Sequence, residues 1–241
     1  MLATILLLLG GVWYLKKDIG PAVYVAHVPD LTRPIPETAP QNSVEEDFII
    51  PDSHFLAVPF TAQAPTATWD ELHNEACEEA SAIMAWSYFS GDQRAVLPAK
   101  EVEVEIKKLT DWQQKNFGYY LDATLEETGQ MLREVYNLKT EMIVEATEPA
   151  IKQAVAGDRL VILSVDGRKI GNPNYKAPGP KYHMLVIRGY DGGEVITNDP
   201  GTRKGQGYRY TLKTLLAATA DWDHATDDID PQFNAMLVVY K

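Results

Sequence analysis

Cysteine occurs once in the chain, at position 77, and a thiol without a partner cysteine is either buried packing or a nucleophile. Asn74 to Ser90 places Ala76, Ala80, Ile83 and Met84 at helical spacing and stops at Gly91, which predicts a helix with Cys77 in its first turn. With Asn74 as N-cap, Cys77 is the third helical residue. Unpaired N–H groups and the positive end of the helix dipole stabilise a thiolate there. Position alone leaves both uses of the thiol open.

A thiolate nucleophile requires a base that holds and returns its proton. The histidines are His27, His54, His73, His183 and His224. His27 and His54 fall in or beside a proline-rich stretch, His73 in the loop before the helix, and His224 in an acidic run near the end. Only His183 opens a β-rich segment. It follows a Gly- and Pro-rich loop, Gly167 to Lys181, of the kind that borders clefts.

An imidazole base is held in one tautomer by an acceptor on its other nitrogen. Asp191, Gly192 and Gly193 form the turn of a hairpin, and the acceptor is expected across it. A three-residue loop sets Leu185 opposite Asp199 and brings Asp199 to the face of His183; a two-residue loop brings Asn198 there instead. Spacing does not choose between them. Gly201, Gly205 and Gly207 lack the spacing of a phosphate-binding loop and read as turn glycines.

These residues need a scaffold. Helical segments are predicted near Ala99 to Asn116, Leu125 to Tyr136 and Glu148 to Ala156, the last capped by Thr147 with Pro149 in its first turn. After Gly157 come β-rich runs at Leu160 to Val165, Tyr182 to Tyr190, Glu194 to Asn198, Tyr208 to Thr211 and Ala235 to Tyr240. Helices first and strands second predict an α+β domain, a helical part packed on an antiparallel sheet, with no internal repeat.

The chain has 241 residues, 45% of them hydrophobic, enough for one sizeable core. A net charge of −12 excludes sequence-independent nucleic-acid binding and docking on anionic lipid, and points to neutral or basic partners. Met1 to Leu15 is an almost unbroken apolar run followed by Lys16 and Lys17. It falls short of the roughly 20 residues of a spanning helix, and it lacks a preceding basic residue and a clear cleavage site. Residues 1–25 are therefore expected to be a signal or anchor segment, with a possible membrane tether through residues 1–17 and an extracellular or cell-surface location. Residues 26–54 are read as a proline-rich linker and 55–241 as the folded domain.

The stretch Val58-Pro59-Phe60-Thr61-Ala62-Gln63, then Cys77-Glu78-Glu79-Ala80-Ser81, His183-Met184-Leu185-Val186-Ile187-Arg188-Gly189-Tyr190-Asp191 and Asn198-Asp199-Pro200-Gly201 resembles the stand-alone relatives of bacteriocin-processing, double-glycine-leader peptidases. The resemblance covers about residues 55 to 240. It implies a papain-like cysteine peptidase fold, with Cys77 as nucleophile, His183 as general base and acid, Asp199 as orienter and Gln63 as part of the oxyanion hole. The interval from Gln63 to Cys77 is 14 residues, longer than in papain-type enzymes, and no transporter or ATPase segment is present.

The function expected is that of a cysteine peptidase or related thiol amide hydrolase acting on a peptide or protein. The alternative is a catalytically idle peptide- or surface-binding module of the same fold. Acyl transfer to an amine is not distinguished from hydrolysis. No metal or organic cofactor is called for, and Trp69, Trp112, Tyr119, Tyr120 and Tyr175 are available to line a cleft.

Overall fold

The computed structural model describes residues 49–241. The apolar segment 1–25 and residues 26–48 of the proline-rich segment lie outside the described residues. The described residues form one compact unit. Among the described residues no helix is long and apolar enough to cross a membrane.

The helices come mainly first. After the short strand β1 (Ser53–Phe55) follow α1 (Glu71–Asn74), α2 (Cys77–Phe89), α3 (Ala99–Asn116) and α4 (Leu125–Tyr136). Strand β2 (Lys139–Val144) and helix α5 (Glu148–Ala156) lead into β3 (Leu160–Val165), β4 (His183–Asp191), β5 (Glu194–Asn198) and β6 (Gln206–Thr211). The chain closes with α6 (Leu212–Ala218), β7 (Asp221–Asp223), β8 (Asp228–Asp230) and β9 (Ala235–Tyr240). The architecture is α+β: one antiparallel sheet ordered β2-β9-β3-β4-β5-β6, with β1 on β4, and a small β7-β8 pair.

Local chemistry explains the boundaries. Thr124 and Glu127 form a reciprocal capping box at the start of α4, and the Thr147 hydroxyl accepts from the Ala150 N–H at the start of α5. Ser53 and His54, read from sequence as linker, belong to the sheet: β1 pairs residues 53–55 with residues 189–191 of β4. Three residues, Ser-His-Phe, are too short a stretch to show a strand period, so β1 carries no sequence signal.

Helix α2 is the centre of the domain. Every residue from Cys77 to Ala85 is buried, because α2 packs against β4, α3 and α4 together. It is therefore not the two-faced surface helix that its apolar spacing suggests. The fully buried strand β3 and nearly all of β4 form the facing layer of the core.

Candidate active site

Cys77 is the first residue of α2, with Ala76 at the cap position, two places earlier in the helix than an Asn74 cap implies. Asn74 instead ends α1, whose start is capped by Asp70 accepting from the His73 N–H. Two short helical pieces in succession thus bring the chain to Cys77. No acceptor is found for the Cys77 N–H among the described residues, in keeping with the free donors of a helix start.

Across the core, His183 is the first residue of β4. Its Nε2 lies 2.9 Å from Asp199 Oδ1, and both side chains are fully buried. Nothing among the described residues hydrogen-bonds to His183 Nδ1. The next residue along β4, Met184, turns its backbone N–H toward the Cys77 sulfur. The starts of α2 and β4 therefore lie side by side.

The choice between Asn198 and Asp199 is made by a bulge. The hairpin turn is the two-residue Gly192-Gly193, with Asp191 paired to Glu194 and Gly189 to Ile196. That register alone would bring Asn198 to the face of His183. Arg188 is an extra residue in β4, after which Ile187 pairs with Thr197 and Val186 with Asn198. The one-residue shift turns Asp199 toward His183. Asn198 faces away, donating to the carbonyls of Val58 and Pro59.

The bulge is fixed by β1. The Leu56 N–H donates to the Arg188 carbonyl at 2.7 Å, and Arg188 Nε returns a bond to the Leu56 carbonyl at 2.9 Å. The guanidinium covers the Phe55 ring at 4.3 Å, and its burial lowers its pKa to about 10.

Asp199 sits in a cage of donors. Tyr210 OH (2.6 Å), Tyr175 OH (2.7 Å) and Asn172 Nδ2 (2.9 Å) donate to Oδ2, while the Gly201 N–H (3.0 Å) joins His183 on Oδ1. Burial by itself would raise this carboxyl, but the His183 imidazole and the tyrosine hydroxyls outweigh it and the net shift is downward. The Tyr175 ring also meets the His183 ring edge-on at 5.5 Å. Gly205 lies directly behind: a Cβ there would fall 1.8 Å from the Asp199 carbonyl oxygen, so only glycine fits. From sequence Tyr175 stands out only as an aromatic available to a cleft, and Tyr210 and Asn172 carry no motif at all.

Gln63 is brought to the same region, its N–H bonded to the Pro200 carbonyl at 2.9 Å. Its side-chain amide, however, donates to the carbonyls of His73 (2.9 Å) and Asn74 (2.8 Å), which engages both of its hydrogens. Its Oε1 is buried without a partner. As it stands, this side chain ties down the segment leading to Cys77 and has no hydrogen left for an oxyanion.

The thiol itself is not bonded to His183. Cys77 Sγ donates to Glu78 Oε2 at 3.0 Å, and no hydrogen bond joins it to the His183 ring. Burial pushes the thiol well above its ordinary value, and the Glu78 carboxyl adds to the rise. Glu78 is only 1% exposed, and burial together with neighbouring Glu79 raises it as well. Among the described residues neither oxygen of Glu79 meets a partner at hydrogen-bonding geometry, the Gln113 amide being a polar neighbour, and burial raises it to about 8. In sequence these two acids look like ordinary solvated first-turn residues favoured by the helix dipole. Their burial follows from the central position of α2.

Of the other histidines, His73 is buried between Asp70 (Nδ1, 2.6 Å) and Glu103 (Nε2, 2.8 Å). His54 faces Asp158 and His224 faces Glu127, and neither belongs to the site. His27 lies outside the described residues.

The fold has a counterpart among solved structures. The crystal structure of a Bacillus anthracis protein assigned as a C39-like peptidase superposes with a TM-score of 0.52 at 12% sequence identity, covering 78% of this chain and 98% of that one. At that identity the likeness establishes the fold alone. No curated protein matches the chain. Residues 55–227 match the Peptidase_C39 like family, and the chain belongs to that family.

Proposed function

We propose that the domain is a thiol amide hydrolase of the cysteine-peptidase kind, with Cys77 as nucleophile, His183 as base and acid, and Asp199 as orienter. The observation that carries this reading is the buried His183–Asp199 pair, which commits Nε2 and leaves Nδ1 free beside the helix start that bears Cys77. In the reaction the Cys77 proton passes to His183 Nδ1, and the thiolate adds to the substrate carbonyl. The imidazolium then protonates the leaving amine, and water resolves the thioester. The Cys77 N–H supports an oxyanion directly; Gln63 would do so only after releasing the carbonyls of His73 and Asn74.

One observation favours the second reading, an idle peptide-binding module: the thiol is buried and bonded to Glu78 instead of to His183. Incubation with a mixed peptide library, read by mass spectrometry, separates the two. Cleavage by the unaltered protein that Cys77→Ala and His183→Ala abolish supports the hydrolase. Retention of the same peptides, uncut, by the unaltered protein and by Cys77→Ala alike supports the module. An added amine appearing in the products would identify acyl transfer.

A further inference from the structure

If Cys77 is the nucleophile, its bond to Glu78 needs a role, and the role inferred for it rests on that reading. The acceptor belongs to the next residue along the helix, and it is buried as completely as the thiol. Other acidic and hydroxyl groups lie near the pair, beside the Met184 N–H that points at the sulfur. Glu79 and Glu75 do so from α2 and the residue pair before it, Asp122 from the segment before α4, and Tyr182 from the segment before β4. Tyr182 is in turn within hydrogen-bond distance of Asp221 Oδ1 and the Ala123 carbonyl. No lysine or arginine bonds to Glu78 among the described residues.

Two acidic groups 3.0 Å apart in a site without a bonded cation cannot both be ionised at low cost. Between them they hold at least one proton, and the direction of the bond puts it on the sulfur. While Glu78 is an acceptor, the thiol keeps its proton and points it away from His183. A neutral hydrogen-bond donor in the same place would reverse the preference and favour the thiolate.

We propose that Glu78 is a built-in restraint on the nucleophile: in the resting site it holds Cys77 as a thiol, and release of that bond hands the cysteine to His183. On release the Sγ–H bond breaks and its proton moves to His183 Nδ1. The neutral pair becomes a thiolate and an imidazolium, and Asp199, already bonded to Nε2, offsets the new positive charge. The trigger that fits the site is a bound substrate carrying a donor or a positive charge, because Glu78 must exchange the thiol for another hydrogen-bond donor when it lets go.

The test is the rate of Cys77 alkylation by iodoacetamide against pH, followed by mass spectrometry, on the unaltered chain, Glu78→Gln, His183→Ala and the double variant. Glutamine keeps the shape and supplies an N–H. Expected is labelling of Glu78→Gln at least about ten-fold faster near neutral pH, which corresponds to one unit of thiol pKa. The double variant is expected to lose that gain. Unchanged or slower labelling in Glu78→Gln, with His183→Ala slower than the unaltered chain, overturns the restraint and leaves the hydrolase reading standing. A gain in Glu78→Gln that survives in the double variant keeps the restraint and overturns the role of His183. Because the chain has one cysteine, the S–H infrared band of the unaltered protein gives a check that needs no folded variant. The band is expected near neutral pH, shifted by a strong acceptor, and its absence there overturns the proposal.

Discussion

Replacing Tyr210 by phenylalanine removes one hydroxyl and leaves the ring in place. The hydroxyl donates to Asp199 Oδ2 at 2.6 Å and also receives Asn172 Nδ2 at 2.7 Å. Both partners are buried. A hydrogen bond to a buried charge contributes about 1.5–3 kcal/mol. Tyr175 and Asn172 remain on the same oxygen, so a loss of about 2 kcal/mol is expected at neutral pH, or about 4–8 °C in Tm for a unit of this size. The loss should depend on pH. The folded pKa of Asp199 is lowered, so the stability it contributes is present above its ordinary value of about 3.9 and is lost as pH falls through the folded value. The penalty of Tyr210→Phe should therefore hold from about pH 7 down to about pH 3.9 and shrink only as pH falls below that through the lowered folded value, toward the roughly 1 kcal/mol of a bond between neutral groups. Urea unfolding of both proteins across that range measures it. A penalty equal at both ends would mean that Tyr210 packs beside Asp199 without holding its charge, and would refute the donor cage.

Two further outcomes follow from buried charge. The pKa of His73 is raised, because the Glu103 and Asp70 carboxylates outweigh a burial effect that alone would lower it. Its contribution is full below its ordinary value of about 6.5 and disappears as pH rises through the raised folded value. Chemical denaturation of His73→Gln should show its largest deficit near pH 6 and little near pH 9; a constant deficit would mean that the ion pairs add nothing to stability. Glu79 is raised to about 8, so the folded state holds its proton more tightly than the unfolded chain and stability should fall as pH rises from about 4.5 toward that value. In Glu79→Gln the slope should be shallower by the share of one carboxyl, the raised Glu78 keeping its own, and parallel stability curves for the two proteins would count against a neutral buried Glu79.

Helices α3, α4 and α5 were legible because each carries a periodic apolar face, and in α5 the Thr147 cap and Pro149 mark the start as well. Cys77 and His183 were legible because each opens an element whose start is marked by a change of texture. What was hidden is the part that depends on partners far along the chain. Strand β2 pairs only with β9, near the C-terminus, and alternates half-buried with exposed residues, so its pattern is faint. The donors around Asp199 come from residues 172, 175, 201 and 210, which share no spacing until β4, β5 and β6 are assembled. The burial of Glu78 and Glu79 left no trace in the sequence for a physical reason: charge at a helix start is the ordinary surface pattern, and only packing on several sides of α2 makes it costly.

The bulge at Arg188 also bears on how such a site tolerates a slip of one strand along its neighbour. Loss of Arg188 itself would leave Ile187 opposite Thr197 and Asp199 in place. A one-residue slide of β5 along the first half of β4 would instead change which of two neighbours stands behind the imidazole, because side chains alternate across a strand. Here those neighbours are Asn198 and Asp199, and each offers a side-chain oxygen. A slip that would strip most sites of their orienter would here exchange a carboxylate for an amide. The tandem lets the pairing drift by one residue while His183 keeps an acceptor, at the expense of the negative charge that steadies an imidazolium.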